Sequence, residues 1–212
     1  MLASTEPPLM RVLSLDSASP GPALAVADET GRGPVSALPA AAAEALPEAV
    51  AAALSAAGLA LADLDRVAVL SGPGSFTGLR AGIAFARGLA RGRGVPLVLV
   101  PTFRAASSAM PDPAEVYFVL EAGRGDVHSA RRSGGRLAEA PAPRPRGDVL
   151  AEAAAAGVAV VDLAEARLPL APAAAQIAAA ASPEPAGGVV YGRPSAAEEK
   201  LDKLAAAREA DP

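Results

Sequence analysis

Short apolar runs of strand length recur along the chain, each closed by glycine, proline or a polar pair. Residues 11–15 (RVLSL) run into Asp16-Ser17 and predict a first strand, and 23–27 a second. Pro20-Gly21-Pro22 between them predicts a hairpin turn. A third strand is expected around 34–38. Residues 40–57 predict a helix closed by Gly58, with Leu46, Val50 and Leu54 at i, i+4 and i+8 forming one narrow apolar stripe. Pro47 conflicts with an uninterrupted helix there, so the ordered part is expected to begin near it, where proline fits the first turn. Residues 67–70 predict a buried strand that enters a glycine-rich turn, followed by a helix over 78–91 and a strand over 95–100. Thr102 is expected to N-cap a helix running to 110.

Pro111-Asp112-Pro113 breaks this pattern and is read as a domain boundary. Beyond it, 115–120 and 127–131 alternate as an antiparallel pair, and 141–146 reads as a proline-rich loop. Helices are expected at 147–156 and 172–181, short strands at 158–161 and 189–191, and a charged terminal helix or tail at 196–209. The expected organisation is α/β in two units. Residues 1–9 form a leader, 10–110 the N-terminal lobe, and 111–212 a smaller C-terminal lobe.

Composition narrows the function. Of the 212 residues, 51% are hydrophobic but only 3% aromatic, so the core must be built from Leu, Val and Ala. No cysteine is present, which removes disulfides and thiolate metal sites and suits a cytoplasmic protein. A net charge of −4 argues against a standalone nucleic-acid binder, so any RNA must be held mainly by something else. Residues 95–100, the most apolar run, contain Pro96 and fall far short of the roughly 20 residues of a membrane-spanning helix. Residues 1–9 lack the basic and apolar regions of a signal peptide.

One motif is specific. Gly72-Pro73-Gly74-Ser75-Phe76-Thr77, followed by Gly78-Leu79-Arg80, lies where a strand should turn into a helix. Such a turn can present backbone N–H groups to an anion. No Lys-Ser or Lys-Thr follows the glycines, and the spacing G-x-G-x-x-x-G is one residue too long for a dinucleotide fingerprint. A plain tight turn that brings the helix close to the sheet therefore stands beside the anion reading. The helix that follows carries Gly82 and Gly88 in its interior, each costing roughly 1 kcal/mol relative to alanine. Gly78, Gly82, Ala86 and Ala90 are spaced by four and predict a groove of small residues that another helix could enter, either the chain's own helix at 46–54 or a helix from another chain.

RVLSLDSAS, LSGPGSFTGLRAGIAFARGLA and VPLVLVPTF together resemble the TsaB (YeaZ) family, a partner in bacterial threonylcarbamoyladenosine synthesis on tRNA. The resemblance runs from Met10 to Arg104. It continues more faintly through Leu120–Val127 and ends near Tyr191-Gly192-Arg193. It implies a pair of actin-like (ribonuclease H-like) lobes, the second one reduced. It further implies a scaffold subunit without chemistry of its own, pairing with a TsaD-like catalytic subunit and helping to recruit a TsaE-like ATPase. ATP and metal are then expected on the partner subunits, with self-association as the fallback and tRNA met only indirectly. The partner interface is expected on the two helices of the first lobe. It would use Leu46, Val50 and Leu54 of one, and Gly78, Arg80, Gly82, Ile83, Ala86, Arg87 and Ala90 of the other. Those two helices are expected to lie side by side, with their outer face meeting a matching pair.

Two alternatives carry other chemistry. In actin-like ATPases an acidic residue after the first strand helps position metal and phosphate, which makes Asp16 and Ser17 candidates for a nucleotide site. The competing reading is that both side chains bond their own turn. A glycoprotease-like hydrolase needs more than the single histidine, His128, and no G-x-S-x-G elbow exists. His128 is expected to be an ordinary strand residue.

Overall fold

The computed structural model describes residues 9–38, 43–110, 115–140 and 142–181. The boundary at 111–113, the last strand at 189–191 and the terminal helix at 196–209 lie outside them.

The first sheet contains β1 (Val12–Asp16), β2 (Ala23–Ala27), β3 (Val35–Ala37), β4 (Arg66–Leu70) and β5 (Leu97–Val100), in the order β3-β2-β1-β4-β5. β1, β2 and β3 are antiparallel neighbours, while β1, β4 and β5 run parallel. Parallel neighbours require crossover connections, and helices supply them. α1 (Leu46–Ala56) precedes β4, and α2 (Phe76–Arg93) joins β4 to β5. α1 starts at Leu46 with Pro47 in its first turn, so proline sets the start of the helix and 40–45 lies outside it. α2 ends on Gly94 in the left-handed conformation.

α3 (Thr102–Ala109) leads to the second sheet, whose strands are β6 (Val116–Gly123), β7 (Asp126–Ser133), β8 (Arg136–Glu139), β9 (Arg144–Pro145) and β10 (Ala159–Asp162). Its order is β10-β6-β7-β8, with β9 pairing to β7. α4 (Arg146–Ala155) and α5 (Leu163–Ala166) flank β10, and α6 (Leu170–Ala180) follows. β8 and α5 have no counterpart among the expected elements, and β9 and α3 differ from expectation. β9 occupies the stretch read as a proline-rich loop. Thr102 does not cap α3: Pro101 holds the cap position without a side-chain bond, and Thr102 Oγ1 is buried without a hydrogen-bond partner among the described residues.

The molecule is layered. One face of the first sheet (Leu13, Leu15, Leu24, Val26, Val67, Val69) packs on Leu46, Val50 and Leu54 of α1 and on Leu79, Ile83, Ala86 and Ala90 of α2. The other face (Val12, Ala68, Leu70, Val98, Val100) meets α3 and α6, which in turn meet Val116, Phe118 and Leu120 of the second sheet. The outer face of that sheet carries α4 through Tyr117, Val119, Val127, Val149 and Ala153. α6 is late in the chain yet central in space, lying across β1, β2 and β4 of the first sheet and along α3. Ala174, Ala175 and Ala178 of α6 are fully buried, and such short side chains let a helix lie close to a sheet. This is the two-sheet, actin-like α/β arrangement.

Candidate functional site

The C-terminal ends of β1 and β4 are neighbours in the sheet, and the turns that leave them interlock. Asp16 closes β1 with no solvent exposure. Its Oδ1 accepts from the backbone N–H groups of Ala18 (3.2 Å) and Ser19 (2.9 Å), and its Oδ2 accepts from Ser19 Oγ. Loss of water raises the carboxyl above its ordinary pKa, against the lowering by these bonds. Ser17 points the other way, its Oγ donating to the carbonyl of Gly78 at 2.8 Å.

The signature turn reaches back to meet it. Ser75 N donates to Ala18 O (2.9 Å), and Ser75 Oγ caps α2 by accepting from Gly78 N (3.3 Å). On the other side, Ser71 N donates to Val100 O and Thr102 N to Gly72 O, tying the turn to β5 and α3. The Gly72-Pro73 bond is cis. A Cβ on Gly74 would stand 2.8 Å from Ala18 O, while one on Gly78 or Gly82 would overlap Ser17 O or Ser17 Oγ outright. Glycine is thus the residue that lets the Ser17-Ala18 turn sit against α2.

These distances correct the expected interface. The small-residue groove takes the chain's own β1–β2 turn, not a helix, and Gly88 faces open space. Leu46, Val50 and Leu54 are 2%, 3% and 5% exposed, and Ile83, Ala86 and Ala90 are likewise buried. Gly82 is buried beside them and Gly78 is half-buried. An apolar stripe on a helix beside a sheet is used first to cover that sheet. The outward face of α2 instead carries Arg80, Ala84, Arg87, Gly88 and Arg91, all exposed. The Arg80 guanidinium lies over the ring of half-buried Phe76, 5.3 Å from its centroid. Thr77 is exposed. Arg87 and Arg91 form no ion pair among the described residues. Arg91 was not singled out from the sequence, although the spacing 80, 84, 87, 91 marks one helix face. Ser19 was also missed; its place three residues after Asp16 in a turn was the available signal.

His128 is a half-buried strand residue of β7 opposite Leu120. Among the described residues, no group of three His, Cys, Asp or Glu side chains could hold a metal ion, and no helix is long and apolar enough to cross a membrane.

Comparison with known proteins adds the family. Residues 38–181 match the family described as TsaD, tRNA N6-adenosine threonylcarbamoyltransferase. A protein of that name from Maricaulis maris is 52% identical over 58 residues, 27% of this chain and 15% of its own. An uncharacterized protein of Mycobacterium bovis is 39% identical over 107 residues, half of each chain. The chain thus spans half or less of the length of these relatives. YeaZ from Pseudomonas aeruginosa superposes with a TM-score of 0.54 at 26% identity, over 64% of this chain and 66% of that one. A second Pseudomonas aeruginosa structure, described as similar to peptidase YeaZ, gives 0.55 at 27%, over 65% and 67%. The signature turn, the layered sheets and these matches agree: the chain belongs to the TsaD family of tRNA-modification proteins and is a TsaB (YeaZ)-like member of it.

Proposed function

We propose that this chain is a non-catalytic scaffold subunit of a tRNA threonylcarbamoyladenosine-modifying complex in the cytoplasm. It pairs with a TsaD-like catalytic subunit and helps recruit a TsaE-like ATPase. ATP, metal and tRNA are held chiefly by those partners. The observation that carries this reading is the state of Asp16 and Ser17. In an actin-like phosphate site these groups would face a ligand; here both are bonded into the chain's own turns. A buried carboxylate with three hydrogen-bond donors around it has little left to offer a metal. The chain's single histidine weighs in the same direction.

The docking surface in this reading is the outward face of α2 around Arg80, Arg87 and Arg91. Arginine is favoured at protein interfaces, and three on one face set a charge pattern that a partner can match. The test is co-purification with the TsaD-like protein of the same genome. The double variant Arg80→Glu/Arg87→Glu should lose the partner while keeping its melting temperature. Intact co-purification would move the interface elsewhere. Metal-dependent ATP turnover that tracks with the isolated chain would overturn the non-catalytic reading itself.

A further inference from the structure

Away from the clasp formed where the Ser17-Ala18 turn interlocks with the signature turn and α2, a cavity of about 680 Å³ opens between α3, the β7–β8 hairpin and α6. That volume is in the range of small-molecule sites. Its lining includes Arg104 and Ser107 of α3, Arg132 of β7, Leu137 and Glu139 of β8, and Ile177 of α6. Arg132 is the fixed part of the wall. It is 4% exposed, its Nη1 donates to Ser107 O at 2.8 Å, and its guanidinium lies 5.9 Å from the centre of the Phe118 ring.

Arg104 and Glu139 are different. Both are exposed and both line the cavity, yet neither forms an ion pair among the described residues, with each other or with anything else. A cation on the helix wall and an anion on the strand wall thus line one cavity without pairing to each other. Loss of water raises the Glu139 carboxyl above its ordinary pKa, and no cation pairs with it among the described residues.

We infer that this cavity binds a small zwitterion of amino-acid to dipeptide size, its carboxylate on the Arg104 side and its ammonium on Glu139. The charges of the walls exclude the simpler ligands. An inorganic anion or a polyphosphate would be drawn to the arginines but would stand against Glu139. A simple amine would suit Glu139 but would meet two guanidinium groups. Only a ligand carrying both charges satisfies both walls, and Leu137 and Ile177 leave room for an apolar stem between them.

The proposal is independent of the partner-subunit reading, because it can be tested on the full chain alone. Binding of glycylglycine and γ-aminobutyrate would be followed by NMR line shifts, with butyrate and butylammonium as half-ligands. The zwitterions should saturate, and each half-ligand should bind at least about tenfold more weakly. Arg104→Ala and Glu139→Gln, both at exposed positions, should each weaken zwitterion binding by about tenfold or more while leaving the melting temperature unchanged. Butyrate binding as tightly as the zwitterions would overturn the inference. So would zwitterion binding that survives both substitutions, or no saturable binding at all.

Discussion

At the scale of single residues, the glycines of α2 divide by what surrounds them. Gly82 is pressed against Ser17 and Gly78 against the Ser17 carbonyl, whereas Gly88 has nothing within 4 Å of where a Cβ would stand. Gly82→Ala should therefore destabilise the fold by about 1–3 kcal/mol through overpacking. Gly88→Ala should stabilise it by about 1 kcal/mol through helix propensity. Urea unfolding of both variants checks the pair, and a similar sign for the two would refute the clasp. Asp16 supplies a pH signature. A carboxyl whose pKa rises on folding favours the native state in its protonated form. Its contribution is complete below the unfolded-state pKa and is lost as pH rises through the folded-state value. Asp16→Asn stays neutral and can keep the turn bonds by rotating the Ser19 hydroxyl. Its melting temperature relative to wild type should climb as pH rises from acid towards neutral. A flat difference would mean that Asp16 is not desolvated. Glu152 works in the opposite sense: the bonds from Arg144 (2.7 Å) and the Tyr117 hydroxyl (2.8 Å) hold its carboxyl low, so its contribution fades as pH falls. Comparison of variant with wild type, not the wild-type profile alone, isolates Asp16.

At the scale of elements, legibility followed how local the determinants are. The β1–β2 hairpin, β4, α2 and β5 were readable because their turns are punctuated by Pro20-Gly21-Pro22, the signature motif and Gly94. β8 was missed although Gly134-Gly135, both with positive φ, stand between Ser133 and Arg136 as a two-residue hairpin turn. That signal was present; the polar, partly exposed strand after it did not look like one. The orientation of α1 and α2 was another matter. An apolar stripe shows that something covers it, and only the fold shows that β1, β2 and β4 do. The clasp was half legible for the same reason. The glycines announced a close approach, but the approaching segment lies some sixty residues earlier in sequence. α6 was found as a helix without any sign of where it packs, since a run of alanines has no strong face. Its fixing point is Arg66 of β4, whose Nη1 donates to the carbonyls of Ala178 and Ala181 at the end of the helix. Arg66→Met should leave those acceptors without the guanidinium, costing about 1–3 kcal/mol. Hydrogen exchange should quicken over 174–181 more than elsewhere; uniform quickening would argue that Arg66 merely adds global stability.

At the scale of the whole molecule, the charge is −4 overall, yet the outward face of α2 is cationic. A partner that docks there should carry carboxylates at matching helical spacing, and the encounter should be steered electrostatically. Association with a TsaD-like subunit should slow as salt is raised through the range where the screening length falls from about 10 Å to about 3 Å. Stopped-flow measurement at several salt concentrations tests this. A rate indifferent to salt would place binding on an uncharged surface instead.

The position of α6 also bears on how the chain is made. During synthesis the strands of the first sheet emerge early, but the helix that covers one of its faces is not complete until residue 180 has left the ribosome. Until then Val12, Ala68, Leu70, Val98 and Val100 lack part of their cover, and exposed apolar sheet invites aggregation. The amino-terminal half is thus expected to depend on α6 for a stable fold. A fragment ending at residue 110 should be insoluble when expressed alone, and co-expression of a second fragment that supplies α6 should rescue it.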